Sequence, residues 1–253
     1  MAKRFPSMAL RAPLAVGVTL FLAACGSIDR GSADGFTATG ELIALSGGDA
    51  GAAYACVACH GIGGLGNGAG TPRLARLDRG YLTAQMEAYA SGRRRHPEME
   101  AVARKLTLAQ HDAVSAYYAG LPFVAPSGPV KRSGEPAALY QQGDESRGLA
   151  PCASCHGTRG EGGGANPPLA GQPAAYLAQQ MAQWRKSFRR NDGENVMLRI
   201  SQALSPAESS ALAAYASSLP GDPPRPVSPA AFRAVHHADP RNDALAPQPH
   251  VTE

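Results

Sequence analysis

The sequence predicts an all-α fold built from two tandem, homologous units, and three observations support this. A five-residue motif, Cys-x-x-Cys-His, occurs at residues 56–60 and again at residues 152–156. The residues around the two motifs align along the chain with nearly constant spacing, and apolar residues recur at helical spacing in both copies. No segment shows the clear apolar–polar alternation of a half-buried strand.

Equivalent residues of the two copies lie 95 to 98 positions apart, and small insertions in loops account for the differences. The aligned pairs are Cys56 and Cys152, Leu74 and Leu169, Tyr81 and Tyr176, Met86 and Met181, Met99 and Met197, Leu106 and Leu204, and Tyr117 and Tyr215. The alignment predicts one unit at residues 39–122 and a second at residues 135–220. Residues 123–134, which include Pro126 and Gly128, are expected to be a linker.

The repeated motif is the pattern for covalent attachment of haem c (heme c). On a helical turn, positions i and i+3 share a face, so Cys56 and Cys59 can each form a thioether to one porphyrin, and His60 can bind the iron. The second copy repeats this arrangement with Cys152, Cys155 and His156. Zinc binding and thiol redox chemistry are the alternatives, but zinc leaves the adjacent histidine of both copies unexplained. We therefore expect two haem c groups.

The N-terminus predicts an exported lipoprotein. Basic residues precede an apolar run at residues 12–24, which is too short to span a bilayer and is typical of a secretory signal. The run ends in Leu-Ala-Ala-Cys, which resembles a lipoprotein cleavage site, and Cys25 is the one cysteine outside the two motifs. The alternative is an ordinary cleavage site beside an incidental cysteine. We expect a signal peptide at residues 1–24, a lipid on Cys25 and a flexible tether at residues 25–38.

The charge balance gives no reason to expect a nucleic acid partner. The chain has 24 Lys and Arg against 20 Asp and Glu, a formal net charge of +4, and three of the basic residues lie in the signal. Removal of the signal leaves 21 against 20, before the carboxylates of two haems are added. Membrane contact is expected through the lipid alone. The Pro-rich tail, residues 221–253, is predicted to be disordered.

Each unit is predicted to contain short helices. In unit one we expect a helix from near Asp49 into the motif, a second at residues 78–91 and a third at residues 107–119. Thr107 and, in unit two, Ser205 are expected to form capping boxes, because Gln or Glu follows three residues later. Units of about 85 residues have marginal cores, to which a covalent haem adds apolar surface. The Gly-rich loop after each histidine is expected to let the backbone pass close to the haem edge.

The second iron ligand decides between electron transfer and catalysis, and methionines offer it in both units. Met86 and Met181 lie within an amphipathic helical pattern, where methionine more often fills a core. Met99 and Met197 instead fall in irregular segments without a helical pattern, and a loop there can lie over a haem face. We therefore expect Met99 and Met197 to be the axial ligands opposite the two histidines.

Basic residues cluster in corresponding places of the two units. The cluster of unit one lies at residues 93–95, and that of unit two contains Arg185, Lys186, Arg189 and Arg190. Three interpretations remain open at this point. The arginines can pair with haem carboxylates through their bidentate fork, form a docking surface for an acidic partner, or simply be solvated charges.

Unit by unit, the sequence resembles class I cytochrome c, and the tandem arrangement resembles the diheme cytochrome c4 type. The resemblance covers about residues 39–220. It rests on the two Cys-x-x-Cys-His-Gly motifs, the Pro-x-Leu that follows each loop, the repeated Tyr-Leu-x-x-Gln-Met and the two ligand-methionine segments. It implies iron ligation by His60 with Met99 and by His156 with Met197. It also implies that the carbonyl oxygens of Pro72 and Pro167 accept hydrogen bonds from the other imidazole nitrogens.

The resemblance and the ligand set imply an electron carrier, not an enzyme, because six-coordinate iron leaves no position for a substrate. The implied partners are a quinol-oxidising complex as donor and a membrane-bound terminal oxidase as acceptor. We expect the carrier to be lipid-anchored in the bacterial periplasm, and Gly26 after Cys25 favours the outer membrane. The alternatives are a diheme enzyme, such as a peroxidase or a thiosulfate-oxidising enzyme, and the electron-accepting subunit of a periplasmic dehydrogenase.

Overall fold

The computed structural model describes residues 39–123 and 134–222. These residues form helices joined by loops, with no strand among them, so the predicted all-α fold is confirmed. The signal peptide, Cys25 with its tether, most of the linker and most of the tail lie outside the described residues. Within the described part of the chain, no single helix is long and apolar enough to cross a membrane. A pair of segments bent by 119°, Gly40–Ala50 and Ala52–His60, meets the length and composition test together.

Unit one contains five α-helices in the described residues. They are α1 (Gly40–Ser46), α2 (Cys56–His60), α3 (Arg79–Ala90), α4 (Pro97–Lys105) and α5 (Leu108–Gly120). The side chains of Asp78 and Thr107 cap α3 and α5, and Gln110 completes a capping box with Thr107. The second and third predicted helices of this unit therefore lie within a residue of their expected bounds.

The first predicted helix of unit one is wrong. Instead of one helix from Asp49 into the motif, the chain forms α1, two 3₁₀ turns at Gly48–Ala50 and Ala52–Tyr54, and then α2. Gly47 ends α1 with a φ of 81°, and Gly51, with a φ of 87°, separates the two turns. Glycine adopts a positive φ without strain, so Gly51 interrupts the Ala-rich segment that was expected to be one helix.

Unit two repeats the helix order of unit one. Its helices are α6 (Glu135–Gln142), α7 (Ala153–His156), α8 (Ala174–Arg185), α9 (Val196–Ala203) and α10 (Pro206–Ser217), with 3₁₀ turns at Glu145–Arg147 and Gly193–Asn195. Ser205 and Glu208 form the expected capping box, and Pro206 occupies the first position of α10. The last helix of each unit packs on the first and third helices of the same unit. In unit one α5 packs on α1 and α3, and in unit two α10 packs on α6 and α8.

Each unit has its own apolar core. The cluster in unit one includes Ile43, Leu82 and Val114, and the cluster in unit two includes Tyr140 and Leu212. The first cysteine of each motif packs against the cluster of its own unit. Each attachment motif is therefore held in place by the apolar core of its own unit.

Polar groups make contacts between the two units. An isolated antiparallel bridge pairs Arg94 with Arg189, in the segments that follow α3 and α8. Arg73 N donates to Gln172 Oε1 at 3.0 Å, and Gln172 Nε2 donates to Arg73 O at 2.9 Å. The backbone of one unit is thus hydrogen-bonded to the other, and the two units pack as one body.

Candidate functional site

The two Cys-x-x-Cys-His motifs present their thiols in the same way. In each motif the first cysteine is partly buried and the second is exposed. Burial raises the pKa of Cys56 and of Cys152 to about 11. A thiol redox site needs a lowered pKa and a zinc site about four ligands, but no three His, Cys, Asp or Glu among the described residues form a metal-binding cluster. The thiol-redox and zinc alternatives therefore have no support in these residues.

A backbone carbonyl oxygen holds each motif histidine. His60 Nδ1 lies 3.0 Å from Pro72 O, and His156 Nδ1 lies 2.9 Å from Pro167 O. A carbonyl oxygen only accepts hydrogen bonds, so Nδ1 carries the proton and donates it. Burial lowers the pKa of both imidazoles, which keeps the rings neutral and leaves a lone pair on Nε2. Each histidine is thereby oriented as a metal ligand through Nε2.

The Gly-rich loop after each histidine positions the proline carbonyl. Gly66 N donates to His60 O at 2.9 Å, and Gly162 N donates to His156 O at 2.8 Å. Both glycines have a positive φ, 75° and 69°. A Cβ on either glycine would overlap the backbone of the proline segment. These two glycines let the loop fold back over that segment, and the expected passage of the loop beside the haem edge stays a prediction.

In unit two, the predicted site residues line one cavity of about 690 Å³. This volume is typical of cofactor sites, which span roughly 300–1,000 Å³. Apolar side chains such as Leu177 and Ile200 form much of its wall. The predicted residues that line it are Cys152, Cys155, His156, Pro167 and Met197. The fold therefore brings together all five residues that the sequence predicted for this unit.

The two methionines predicted as ligands lie in helices and not in loops. Met99 is in the first turn of α4 and Met197 in the first turn of α9, and both are partly buried. Pro97 favours the start of α4, and Asp192 Oδ2 accepts a hydrogen bond of 2.8 Å from Met197 N at the start of α9. The expected irregular conformation is therefore wrong. Met197 lines the cavity, whereas the approach of Met99 to the ring of His60 remains a prediction.

The other two methionines occupy helical core positions. Met86 packs against the core of unit one and Met181 against the core of unit two. Met181 also lines the cavity, so unit two presents two thioethers to it.

Two buried arginines, Arg94 and Arg189, lie between the units, each with 4% of its surface exposed. Arg94 Nη2 donates to Tyr176 Oη and to Gln180 Oε1, both at 2.8 Å. Arg189 makes the equivalent bonds to the tyrosine and glutamine of unit one, at 3.2 and 3.0 Å. Neither guanidinium has a carboxylate within salt-bridge distance among the described residues. For these two arginines, burial rules out the docking-surface and solvated-charge interpretations.

The residues present fit haem c. Arg189 lines the unit-two cavity, and a buried guanidinium with neutral partners suits an anion such as a haem carboxylate. The cavity also offers two thiols, a neutral imidazole, thioethers and apolar walls. The tyrosine and glutamine partners of the arginines were not predicted to be functional, although the repeated Tyr-Leu-x-x-Gln-Met contains both. When bound, haem c supplies a one-electron iron couple, while the protein supplies ligands, orientation and exclusion of water.

Comparisons with known proteins agree with this fit. The Cytochrome c family model matches residues 48–121 and 140–220. A thiosulfate dehydrogenase electron acceptor from Stutzerimonas stutzeri (strain A1501) is 40% identical over 183 residues, covering 70% of this chain and 85% of that protein. A solved thiosulfate dehydrogenase (TsdBA) from Marichromatium purpuratum has a TM-score of 0.63 at 34% identity, covering 80% of this chain but 48% of that one. Reduced cytochrome c4 from Pseudomonas stutzeri has a TM-score of 0.59 at 28% identity, covering 65% of this chain and 93% of that one.

Each segment matched by the family contains one complete attachment motif and its histidine. The chain therefore carries two covalently bound haem c groups, as the repeated motif predicted. Its two tandem units of helices match the cytochrome c4 structures in fold. The chain belongs to the Cytochrome c family, as a diheme, cytochrome c4-like member.

Proposed function

We propose that this protein accepts single electrons from a thiosulfate-oxidising dehydrogenase in the bacterial periplasm and passes them to a membrane-bound terminal oxidase. The observation that carries the proposal is the similarity to two thiosulfate dehydrogenase electron acceptors, at 40% and 37% identity. A region of a solved thiosulfate dehydrogenase also resembles most of this chain. These similarities favour a dehydrogenase as donor over the quinol-oxidising complex.

The proposed role as carrier follows from what the site residues do. Burial keeps the two motif histidines neutral, and the carbonyl oxygens of Pro72 and Pro167 orient them, so each can hold iron without rearrangement. Met99 and Met197 are the proposed ligands on the other side, which would leave no coordination position for a substrate. An iron with both axial positions filled by the protein can gain or lose an electron with little structural change. The enzyme alternative instead requires an axial position that is open to a substrate.

The test is reduction by a purified thiosulfate dehydrogenase, followed through the haem absorption of the oxidised protein. Thiosulfate and the dehydrogenase together should reduce both haems, while thiosulfate alone should leave them oxidised. Reduction by thiosulfate alone would favour the enzyme alternative. Reduction by a purified quinol-oxidising complex, with no response to the dehydrogenase, would favour the quinol route and contradict the proposed donor.

We also propose that a lipid on Cys25 holds the carrier at a membrane, with the outer membrane preferred. The apolar run and the Leu-Ala-Ala-Cys sequence support this. Several acyl chains on one cysteine meet the requirement of two hydrophobic signals for stable anchoring. A Cys25→Ser variant should move from the membrane fraction to the soluble periplasmic fraction. An unchanged membrane fraction would contradict the lipid anchor.

A further inference from the structure

The loop after the motif histidine has the same backbone arrangement in both units. Gly64 O accepts hydrogen bonds from two successive N–H groups at 2.7 and 3.0 Å, and Gly160 O accepts the equivalent pair at 2.9 and 3.0 Å. Both glycines have a positive φ, 64° and 72°. Because the loops share this arrangement, side chains 96 positions apart occupy equivalent places and can be compared directly.

In unit one, most exposed side chains of this region are apolar, and Asn67 is the polar exception. Ile62 is 75% exposed and Leu65 is 56% exposed, and Ala58 is exposed beside the exposed Cys59. We call Ala58, Ile62 and Leu65 the unit-one rim. Residues 57–71 contain no Lys, Arg, Asp or Glu. The segment that carries this haem attachment site is therefore uncharged, and most of its exposed side chains are apolar.

In unit two, the equivalent side chains are polar. Ser154, Thr158 and Glu161 stand at the three rim positions, and the exposed Arg159 lies between the last two. Glu161 Oε2 accepts a hydrogen bond from Arg159 N at 2.8 Å, and Arg159 Nε donates to Gly221 O at 2.9 Å. This loop is tied to its own unit by polar contacts, so the two units present different surfaces beside equivalent attachment sites.

The difference matters because apolar side chains gain free energy when a partner removes them from water. Single exposed aliphatic residues are common, but here two large ones lie within six residues of the exposed attachment cysteine, and only in unit one. A surface without charge also selects against strongly charged partner surfaces, since such a partner would lose hydration without a compensating charge.

We propose that the unit-one rim is the docking surface for the electron-donating dehydrogenase, and that the matching surface of that enzyme is apolar and uncharged. This inference rests on the proposed function, in which the protein that binds this surface is the thiosulfate-oxidising dehydrogenase. Electrons then enter the protein through unit one, beside Cys59, and unit two is left to serve the acceptor.

The test exchanges the rim residues between the units in the full-length, haem-loaded protein. The variant Ala58→Ser with Ile62→Thr and Leu65→Glu gives unit one the side chains of unit two. The second-order rate constant for its reduction by purified thiosulfate dehydrogenase with thiosulfate should fall about tenfold or more, as loss of apolar contacts at the centre of an interface predicts. The wild-type rate should depend weakly on ionic strength, because the rim has no charge.

Matched controls separate docking from folding. The reciprocal variant, Thr158→Ile with Glu161→Leu, and the exposed Leu108→Thr should both keep the wild-type rate. Ascorbate should reduce all variants equally, which shows that the haems are intact. An unchanged rate in the unit-one variant, or a wild-type dimer that this variant dissociates, would overturn the docking inference. If the dehydrogenase fails to reduce the wild-type protein, the proposed function itself is wrong.

Discussion

At the scale of single residues, burial and one backbone hydrogen bond set the chemistry of the histidine in each attachment motif, and burial sets that of the first cysteine. The carbonyl oxygens of Pro72 and Pro167 fix the proton of each imidazole on Nδ1, so Nε2 is free without any change in pH. Burial keeps Cys56 and Cys152 as neutral thiols, with pKa raised to about 11. The polypeptide alone therefore has the features of a haem attachment site and not those of a reactive thiol pair.

Removal of one cysteine pair should remove one haem and leave the other. In a Cys56→Ala, Cys59→Ala variant, unit one loses both thioether positions, while unit two keeps its own pair. The mass of the intact protein should fall by one haem, and the pyridine haemochrome yield should halve. A Cys25→Ala control should keep both haems, and two covalent haems in the double variant would contradict the assignment.

At the scale of elements, the sequence predicted best those helices that have a local start signal. Asp78, Thr107 and Ser205 each accept a backbone hydrogen bond at the start of their helices, and such caps are readable from neighbouring residues. The helices that hold Met99 and Met197 were missed. They are short and follow segments without periodicity, and Asn195, the residue before α9, has a left-handed conformation that its sequence neighbours do not predict.

The cavity and the arginine pair could not be predicted from local patterns. The cavity needs contacts between residues far apart in the sequence, and its lining includes residues of both units, among them Gln85 and His156. Burial of Arg94 and Arg189 depends on how the units pack, which no periodicity in either unit encodes. The sequence located both basic clusters but left three interpretations open for them.

Gly66 and Gly162 should each be needed to hold the proline segment whose carbonyl oxygen orients the motif histidine. In Gly162→Ala, the methyl group must overlap the segment that presents Pro167, and the positive φ adds strain. The free energy of unfolding should fall by about 1–3 kcal/mol, measured by denaturant unfolding of the haem-loaded protein.

Gly163→Ala is the matched control, because a Cβ there meets open space and its φ is not positive. It should change the unfolding free energy by less than about 0.5 kcal/mol. Equal effects of the two substitutions would show that the loop does not hold the proline segment as described.

At the scale of the whole molecule, the two units meet through a nearly symmetric polar contact. Arg94 and Arg189 each bond the glutamine of their own unit and the tyrosine and glutamine of the other. Burial lowers the pKa of Arg94, but the neighbouring tyrosine oxygens raise it more, so the net shift is upward and the arginine stays charged. The contact can therefore hold the two units in a fixed arrangement.

Loss of one of these arginines should weaken the contact between the units. Arg94→Met keeps an apolar stem, but Tyr176 Oη loses the hydrogen bond from Arg94, and the buried oxygens of Gln85 and Gln180 each lose one of their charged donors. The free energy of unfolding should fall by about 3 kcal/mol, because buried acceptors lose charge-assisted bonds. The exposed neighbour provides the control, and Arg93→Met should have little effect. Equal stability of the two variants would show that the buried pair does not stabilise the contact.

The account depends most on the methionine ligand of each haem, and one measurement tests this directly. The Met-to-iron charge-transfer band of the oxidised protein should lose about half its intensity in Met99→Leu and in Met197→Leu, because each of the two haems would contribute about equally. The same variants should then bind cyanide at one iron. The core substitutions Met86→Leu and Met181→Leu should keep the full band. A full band in either ligand variant, or a loss in either core variant, would contradict the claim that both irons are closed by these methionines.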